Sequence, residues 1–280
     1  MPFYSADGAA ILRPEQVAAL VVQPVQDAAV STQIATVIQT ESKDTRFPII
    51  KSDVQAAWTA EGAEITPTDP DTDEIVVTPK KLASLTIISR ELANDSDPAA
   101  ATVVGASIAR DLARKLDGAF FGDTVANGPS GLESVSGVQA IPAGTITNAD
   151  PFVEAEFAVA DSGGAISAWA CNANTAAVLS KLKAETGSNV PLLQPDVTMP
   201  TRRAINGAPL FVVPGNAIPD GGIWGIDRRH VFVVIREGAT LDIDASAYFS
   251  SDRIGVRATM RVGFGFPHAA VIAKIGMGGS

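Results

Sequence analysis

Three aspartates at alternate positions, Asp69, Asp71 and Asp73, have the spacing in this sequence that most resembles a binding site. Alternating carboxylates open the helix-loop-helix calcium loop, which then requires glycine at its sixth position for a sharp turn and glutamate at its twelfth as a bidentate ligand. Here those positions hold Glu74 and Lys80. The segment therefore reads as a solvated acidic loop, with a weaker cation site between subunits as the alternative. The two histidines, His230 and His268, are the residues through which a hydrolase triad or a zinc site would have to work, and neither has matching ligands near it in the sequence. No GxxxxGK[ST], HExxH, CxxC or GxSxG pattern occurs. GPSG at 128–131 reads as a turn, because Gly, Pro and Ser cluster where chains reverse. The single cysteine, Cys171, lies in the strand-like segment AISAWACN and reads as a small buried hydrophobe; no disulfide can form within the chain. These patterns predict no catalytic residue, no metal and no cofactor.

The acidic residues belong to a longer excursion. Residues 54–79 carry Glu61, Glu64, Asp69, Asp71, Asp73 and Glu74 and no basic residue. Short strands near Ala56 to Thr59 and Glu74 to Thr78, separated by a Gly- and Pro-containing turn region, predict a long hairpin loop. With little apolar content beyond Trp58 and Ile65, such a hairpin has no core of its own and must rest on another surface. TRFPIIK at 45–51 reads as a strand before it, with Pro48 placing it at an edge.

Residues 78–122 form the centre of the chain. Leu82 to Ser89 reads as a strand rich in branched side chains. Asp97 suits a helix cap and Pro98 the first helical position, where a missing N–H costs nothing. Val104, Ile108, Leu112, Leu116 and Phe120 then recur every fourth residue, while Arg110, Asp111, Arg114 and Lys115 fall elsewhere around the axis. This predicts one helix over 98–121, about 36 Å long at about 1.5 Å per residue, ended by Gly122. Burying its five apolar side chains contributes roughly 10 kcal/mol as an upper bound.

With 280 residues, 46% of them hydrophobic, the chain is long enough for a sizeable core in one large or two ordinary domains. No apolar run approaches the length of a bilayer span, and MPFYSADG lacks the basic start of a secretory signal, so a cytoplasmic origin and no membrane partner are expected. A net charge of −10 disfavours gripping a polyanion, since the basic residues cluster no further than adjacent pairs such as Lys80–Lys81, Arg202–Arg203 and Arg228–Arg229. An acidic chain can still enclose nucleic acid without holding it.

Residues 1–44 read as an arm of two short amphipathic stretches, PEQVAALVV and AAVSTQIATVI, each too short to persist alone as a helix. Residues 150–227 read as a compact α/β unit with helices at 151–160 and 174–184 and strands at 165–171 and 210–213. The loop GSNVPLLQPDVTMPTRR within it is long enough to be functional or mobile. Segments 230–235, 240–246, 255–264 and 269–275 read as successive strands. The fold class is α+β.

Trp58, Glu61, Gly62, Ala63, Glu64 and Ile65, followed by Asp69–Pro70, TPKKL at 78–82, SREL at 89–92, Asp95–Ser96, and Asp117, Phe120 and Gly122, together resemble the central block of tailed-phage major capsid proteins with the Hong Kong-phage capsid fold. The order of the remaining segments extends the likeness over nearly the whole chain. The resemblance implies an N-terminal arm at 1–44 and a peripheral domain beginning at 45–149, with an extended loop at 53–80 and a spine helix at 98–121. It further implies an axial domain at 150–227 and a return to the peripheral sheet with a C-terminal strand at 228–280. A structural protein, not an enzyme, is implied. It would assemble into hexamers and pentamers of an icosahedral shell in the host cytoplasm, enclosing double-stranded DNA without reading its sequence. The cleaved scaffolding domain of some members is not expected, so scaffold is either a separate protein or unused; portal and decoration proteins are further expected partners. An encapsulin-type nanocompartment shell is the related alternative, and a cytosolic α/β hydrolase using His230 or His268 the unrelated one.

On this reading the contacts between subunits are carried by Trp58, Glu61, Glu64, Asp69, Asp71, Asp73 and Glu74 of the loop. The expected counterparts are Arg110, Arg114 and Lys115 on the spine, with Arg202 and Arg203 nearer the capsomer centre. Some members join a loop lysine to a neighbour's asparagine, with a buried glutamate accepting the proton. Here residues 54–79 contain no lysine and residues 250–263 neither asparagine nor glutamate, so a noncovalent shell is expected.

Overall fold

The structure, a computed structural model, describes residues 23–52, 58–60, 62, 64, 71–89, 99–185, 187–195, 202–244 and 246–277. In chain order the elements begin with helices α1 (Gln23–Ala28) and α2 (Val30–Ile34) and strand β1 (Thr36–Gln39). Strands β2 (Thr45–Ser52), β3 (Asp71–Val77) and β4 (Lys80–Ser89) follow, then the long helix α3 (Ala99–Phe121) and β5 (Gln139–Pro142). Helix α4 (Asp150–Asp161), β6 (Ala168–Asn172), helix α5 (Ala173–Lys181), β7 (Gln194–Pro195), β8 (Arg203–Ile205), β9 (Ala208–Val213) and β10 (Gly222–Ile226) make a second unit. The chain returns through β11 (Phe232–Asp244) and β12 (Arg253–Gly265) and finishes at β13 (Ala273–Gly276).

Three sheets result: a four-stranded one in the order β1-β11-β12-β4, a seven-stranded one in the order β5-β13-β10-β6-β9-β8-β7, and the two-stranded ribbon β2-β3. The periodicity of α3 decides its packing. Ile108, Leu112, Leu116 and Phe120 are buried and Val104 half-buried, in a core shared with Val256, Ala258, Met260 and Val262 of β12. Arg110, Asp111, Arg114 and Lys115 are exposed on the other side. The helix stops at Gly122, whose N–H still reaches the Gly118 carbonyl at 3.1 Å. Gly131 then crosses the helix end so closely that a Cβ there would lie 2.2 Å from the Ala119 carbonyl oxygen. Only glycine allows that approach, and the GPSG turn delivers it. Asp97 and Pro98, the expected cap, lie outside the described residues.

The centre of the seven-stranded sheet, β6 and β10, is buried on both faces. Ala168 and Ala170 of β6 face the core of the long helix, while Trp169 and Cys171 face a second core formed by Phe152 and Val159 of α4 and Leu179 of α5. Asn172 starts α5 as its cap, accepting from the Thr175 N–H at 2.8 Å.

Several expectations are corrected by pairing. The stretch AAVSTQIATVI is helical only to Ile34; a β-branched run, Thr36 to Ile38, then joins β11 as a parallel strand. The stretch PEQVAALVV lies outside the described residues. The partner of β3 is β2, with Phe47 opposite Ile75, whereas Trp58 to Ala60 form no strand. The expected strands at 230–235 and 240–246 are one strand, β11, whose register shifts between Ile235 and Thr240; an irregular ladder breaks the period-two pattern that sequence reading follows. The expected strand at 269–275 begins as a 3-10 turn at Ala269–Val271, and β13 pairs with β10 and β5 in the seven-stranded sheet. Strand β5 was not anticipated, because its four residues show no pattern.

Candidate functional site

Among the described residues no cluster of three or more His, Cys, Asp or Glu side chains is arranged to hold a metal ion. No described helix is long and apolar enough to cross a membrane. Cys171 is fully buried, and burial pushes its thiol up to about 12, so it is not a nucleophile. His230 and His268, far apart in sequence, do come together, but with each other: their rings meet edge to face at 5.0 Å. Asp227, the carboxylate whose charge acts on His230, is already engaged, accepting from the Arg229 guanidinium and from the Ala165 N–H. Burial raises its pKa, yet these hydrogen bonds and the Arg229 charge hold it below the ordinary 3.8.

The surfaces that stand out carry charge and exposed apolar groups. The ribbon projects its acidic residues outward: Asp71, Asp73 and Glu74 on β3 are exposed, as is Glu64. Glu74 is held by Arg46 of the same ribbon at 2.5 Å, so at least one of the six carboxylates finds its cation within its own chain. Trp58 is fully exposed. Glu61 and Asp69 lie outside the described residues. The base of the ribbon is seated on two glycines of β12. The Val77 side chain fills the place of a Cβ on Gly263, and the Phe47 ring covers Gly265 while stacking on Phe232 at 4.8 Å. That seat fixes where the acidic excursion leaves the body.

A groove of about 670 Å³ lies between β4, the exposed side of α3 and the loop at 125–129. Lys80, Lys81, Arg114 and Lys115 rim it, against one carboxylate, Asp111. Its floor includes Leu82, Leu116, Val125 and Val262. None of those four cations forms an ion pair among the described residues. Arg110 is exposed on the same helix but does not line the groove. The sequence shows Lys80–Lys81 as a basic pair but points to Arg110, Arg114 and Lys115 as the contact; only the strand-to-helix packing puts the two pairs side by side. Arg202 and Arg203 lie elsewhere, in a shallower groove of about 440 Å³ beside Val30 and Gln33 of α2, with the Arg202 guanidinium 4.5 Å above the Phe211 ring.

A long helix under a four-stranded sheet, a projecting two-stranded ribbon and a second unit on a seven-stranded sheet define the class: this is the architecture of tailed-phage capsid subunits. A chain of the capsid of an empty GTA particle computed with C5 symmetry superposes with a TM-score of 0.72 at 21% identity, covering 100% of this chain and 95% of that one. A chain of Microbacterium phage Oxtober96 gives 0.74 at 17% identity, covering 99% and 96%. One of Mycobacterium phage Bobi gives 0.72 at 16%, covering 100% and 96%. Among curated proteins no relative matches the sequence. The profile of the phage capsid family matches residues 9–276, and the chain belongs to that family. It is a major capsid protein, a structural and non-enzymatic component of the virion.

Proposed function

We propose that copies of this chain assemble in the host cytoplasm into the hexamers and pentamers of an icosahedral shell that encloses the double-stranded DNA of a tailed phage. The observation that carries this reading is the family match across residues 9–276, which includes both ribbon and long helix. The physical complement is a subunit that leaves Trp58 and a row of carboxylates exposed at one end and an apolar-floored, cation-rimmed groove at another.

Trp58, Glu61, Glu64, Asp69, Asp71, Asp73 and Glu74 of one copy meet Arg110, Arg114 and Lys115 of the next, with Lys80 and Lys81 completing the basic rim. Arg202 and Arg203 contact neighbours nearer the capsomer centre. Each exposed ion pair contributes only about 0–1 kcal/mol and is screened by salt, so specificity comes from repetition around the shell. The chain's net charge of −10 suits enclosing DNA over gripping it. Portal and decoration proteins are further partners on this reading.

Two arms test the reading. Particles carrying this chain should protect double-stranded DNA from nuclease; particles that hold protein cargo and no DNA would point to a nanocompartment shell. Reversing Glu61 and Glu64 to Lys should impair assembly while leaving a folded subunit, and reversing Arg114 and Lys115 to Glu in the same chain should restore part of it. Normal particle yield from the first double variant would remove the loop-to-spine contact from the account.

A further inference from the structure

Two segments carry the chain between the four-stranded and seven-stranded sheets side by side. Residues 227–231 lead from β10 into β11, and residues 266–272 lead from β12 into β13. Their ends are in register at both sheets: Gly225 pairs with Ala273 on one side and Phe232 with Gly265 on the other. Between these pairs, nearer the four-stranded sheet, His230 of the first crossing and His268 of the second meet edge to face at 5.0 Å, with their planes 87° apart. Both rings are half-buried. The N-terminal segment is tied to the same place, since the Thr36 N–H donates to the Val231 carbonyl and its hydroxyl to the Arg228 carbonyl.

We propose that the His230–His268 pair is an acid-sensitive clasp on the two crossings between the sheets, closed while both imidazoles are neutral and loosened when both carry a proton. An edge-to-face pair of neutral rings is attractive, because the positive edge of one meets the negative face of the other. Two imidazolium rings at the same distance repel. Among the described residues the charged groups that act on His230 are Asp227, which favours its protonation, and Arg229 and His268, which oppose it. Asp227, the largest of these charges at His230, is shared with Arg229, which it holds through both carboxylate oxygens at 3.1 and 2.7 Å. Consistently, His230 titrates below its ordinary 6.5, chiefly because burial penalises the charged ring. Histidine is the side chain whose charge changes in this range, so the clasp responds to mild acid and leaves carboxylate contacts intact.

The test is amide hydrogen exchange of the full chain, corrected for the intrinsic effect of pH, at about pH 7.5 and about pH 5.5. Peptides covering 227–232 and 266–272 should lose protection by about tenfold on acidification, while β9, which bears no imidazole, holds its own. In His268→Phe and in His230→Phe, which keep an aromatic edge and remove the charge–charge repulsion, the loss of protection at the two crossings on acidification should be several-fold smaller than in wild type. Equal loss in wild type and in whichever of these variants folds would overturn the proposal. So would an unchanged wild type, or loss in β9 as large as in the crossings, which would mark general acid unfolding.

Discussion

The carboxylate of Asp117, on the long helix, accepts hydrogen bonds from both the backbone N–H of Ser31 at 2.9 Å and its hydroxyl at 2.7 Å, and from the Val30 N–H at 3.0 Å. Asp117 and Ser31 are both fully buried. A side chain 86 residues away in sequence thus satisfies the free N–H groups at the start of α2, which has no cap of its own. The N-terminal segment, too weak to be helical alone, is held against the spine by this contact together with Val25, Ala29 and Ile34 in the core.

Removing the acceptor leaves two buried N–H groups and a hydroxyl without a partner. Asp117→Ala should therefore lower unfolding stability by about 3 kcal/mol, the order expected for hydrogen bonds to a buried charge. Urea unfolding of the dispersed subunit checks it. The pH dependence has a definite sign. Burial raises the Asp117 pKa above 3.8, against the hydrogen bonds from Ser31 and Val30 that lower it. A raised folded pKa gives a contribution that is fully present below the unfolded value and lost as pH rises through the folded one. The stability gap between wild type and Asp117→Asn should accordingly be widest in acid and narrow as pH rises above that carboxylate range; a gap that widens with pH would contradict it.

Burial also predicts the behaviour of the single thiol. With its pKa at about 12, Cys171 has about one part in ten thousand as thiolate near pH 8, and no solvent path besides. An exchange reagent for thiols should label native protein no faster than it unfolds, and labelling should rise along the denaturant transition. Rapid labelling of the folded chain would mean that β6 opens locally.

The spine, its buried face and its stop at Gly122 were legible in the sequence because a 3.6-residue period repeated over 23 residues leaves few other readings. The same holds for β4 and for the two helices of the seven-stranded unit. Pairing was not legible. Nothing local tells β3 that its partner is Thr45–Ser52, or β13 that it belongs beside β10, because those choices are settled by long-range contacts. The groove shows the same limit: Lys80–Lys81 and Arg114–Lys115 are plain as pairs, and only folding makes them one surface. Asp117 was noticed as part of a motif, with its role hidden until Ser31 arrived beside it.

A further prediction concerns covalent linkage. Joining a lysine to an asparagine needs a deprotonated amine, an amide that leaves as ammonia, and a carboxylate to move the proton. Residues 54–79 hold no lysine, and residues 250–263 neither asparagine nor glutamate. Lys80 and Lys81 stand at the ribbon's base, on β4, where they line the groove. Mature particles boiled in detergent should release monomers of 28.9 kDa. A ladder of covalent oligomers that survives reductant would show that linkage occurs through other residues.

The central claim, that copies of this chain build a closed icosahedral shell, is tested most directly by negative-stain electron microscopy of the purified protein under assembly conditions. The account predicts closed shells of uniform diameter with fivefold and sixfold clusters of subunits on their surface. A single discrete small oligomer, under every condition in which the chain is folded, would contradict it.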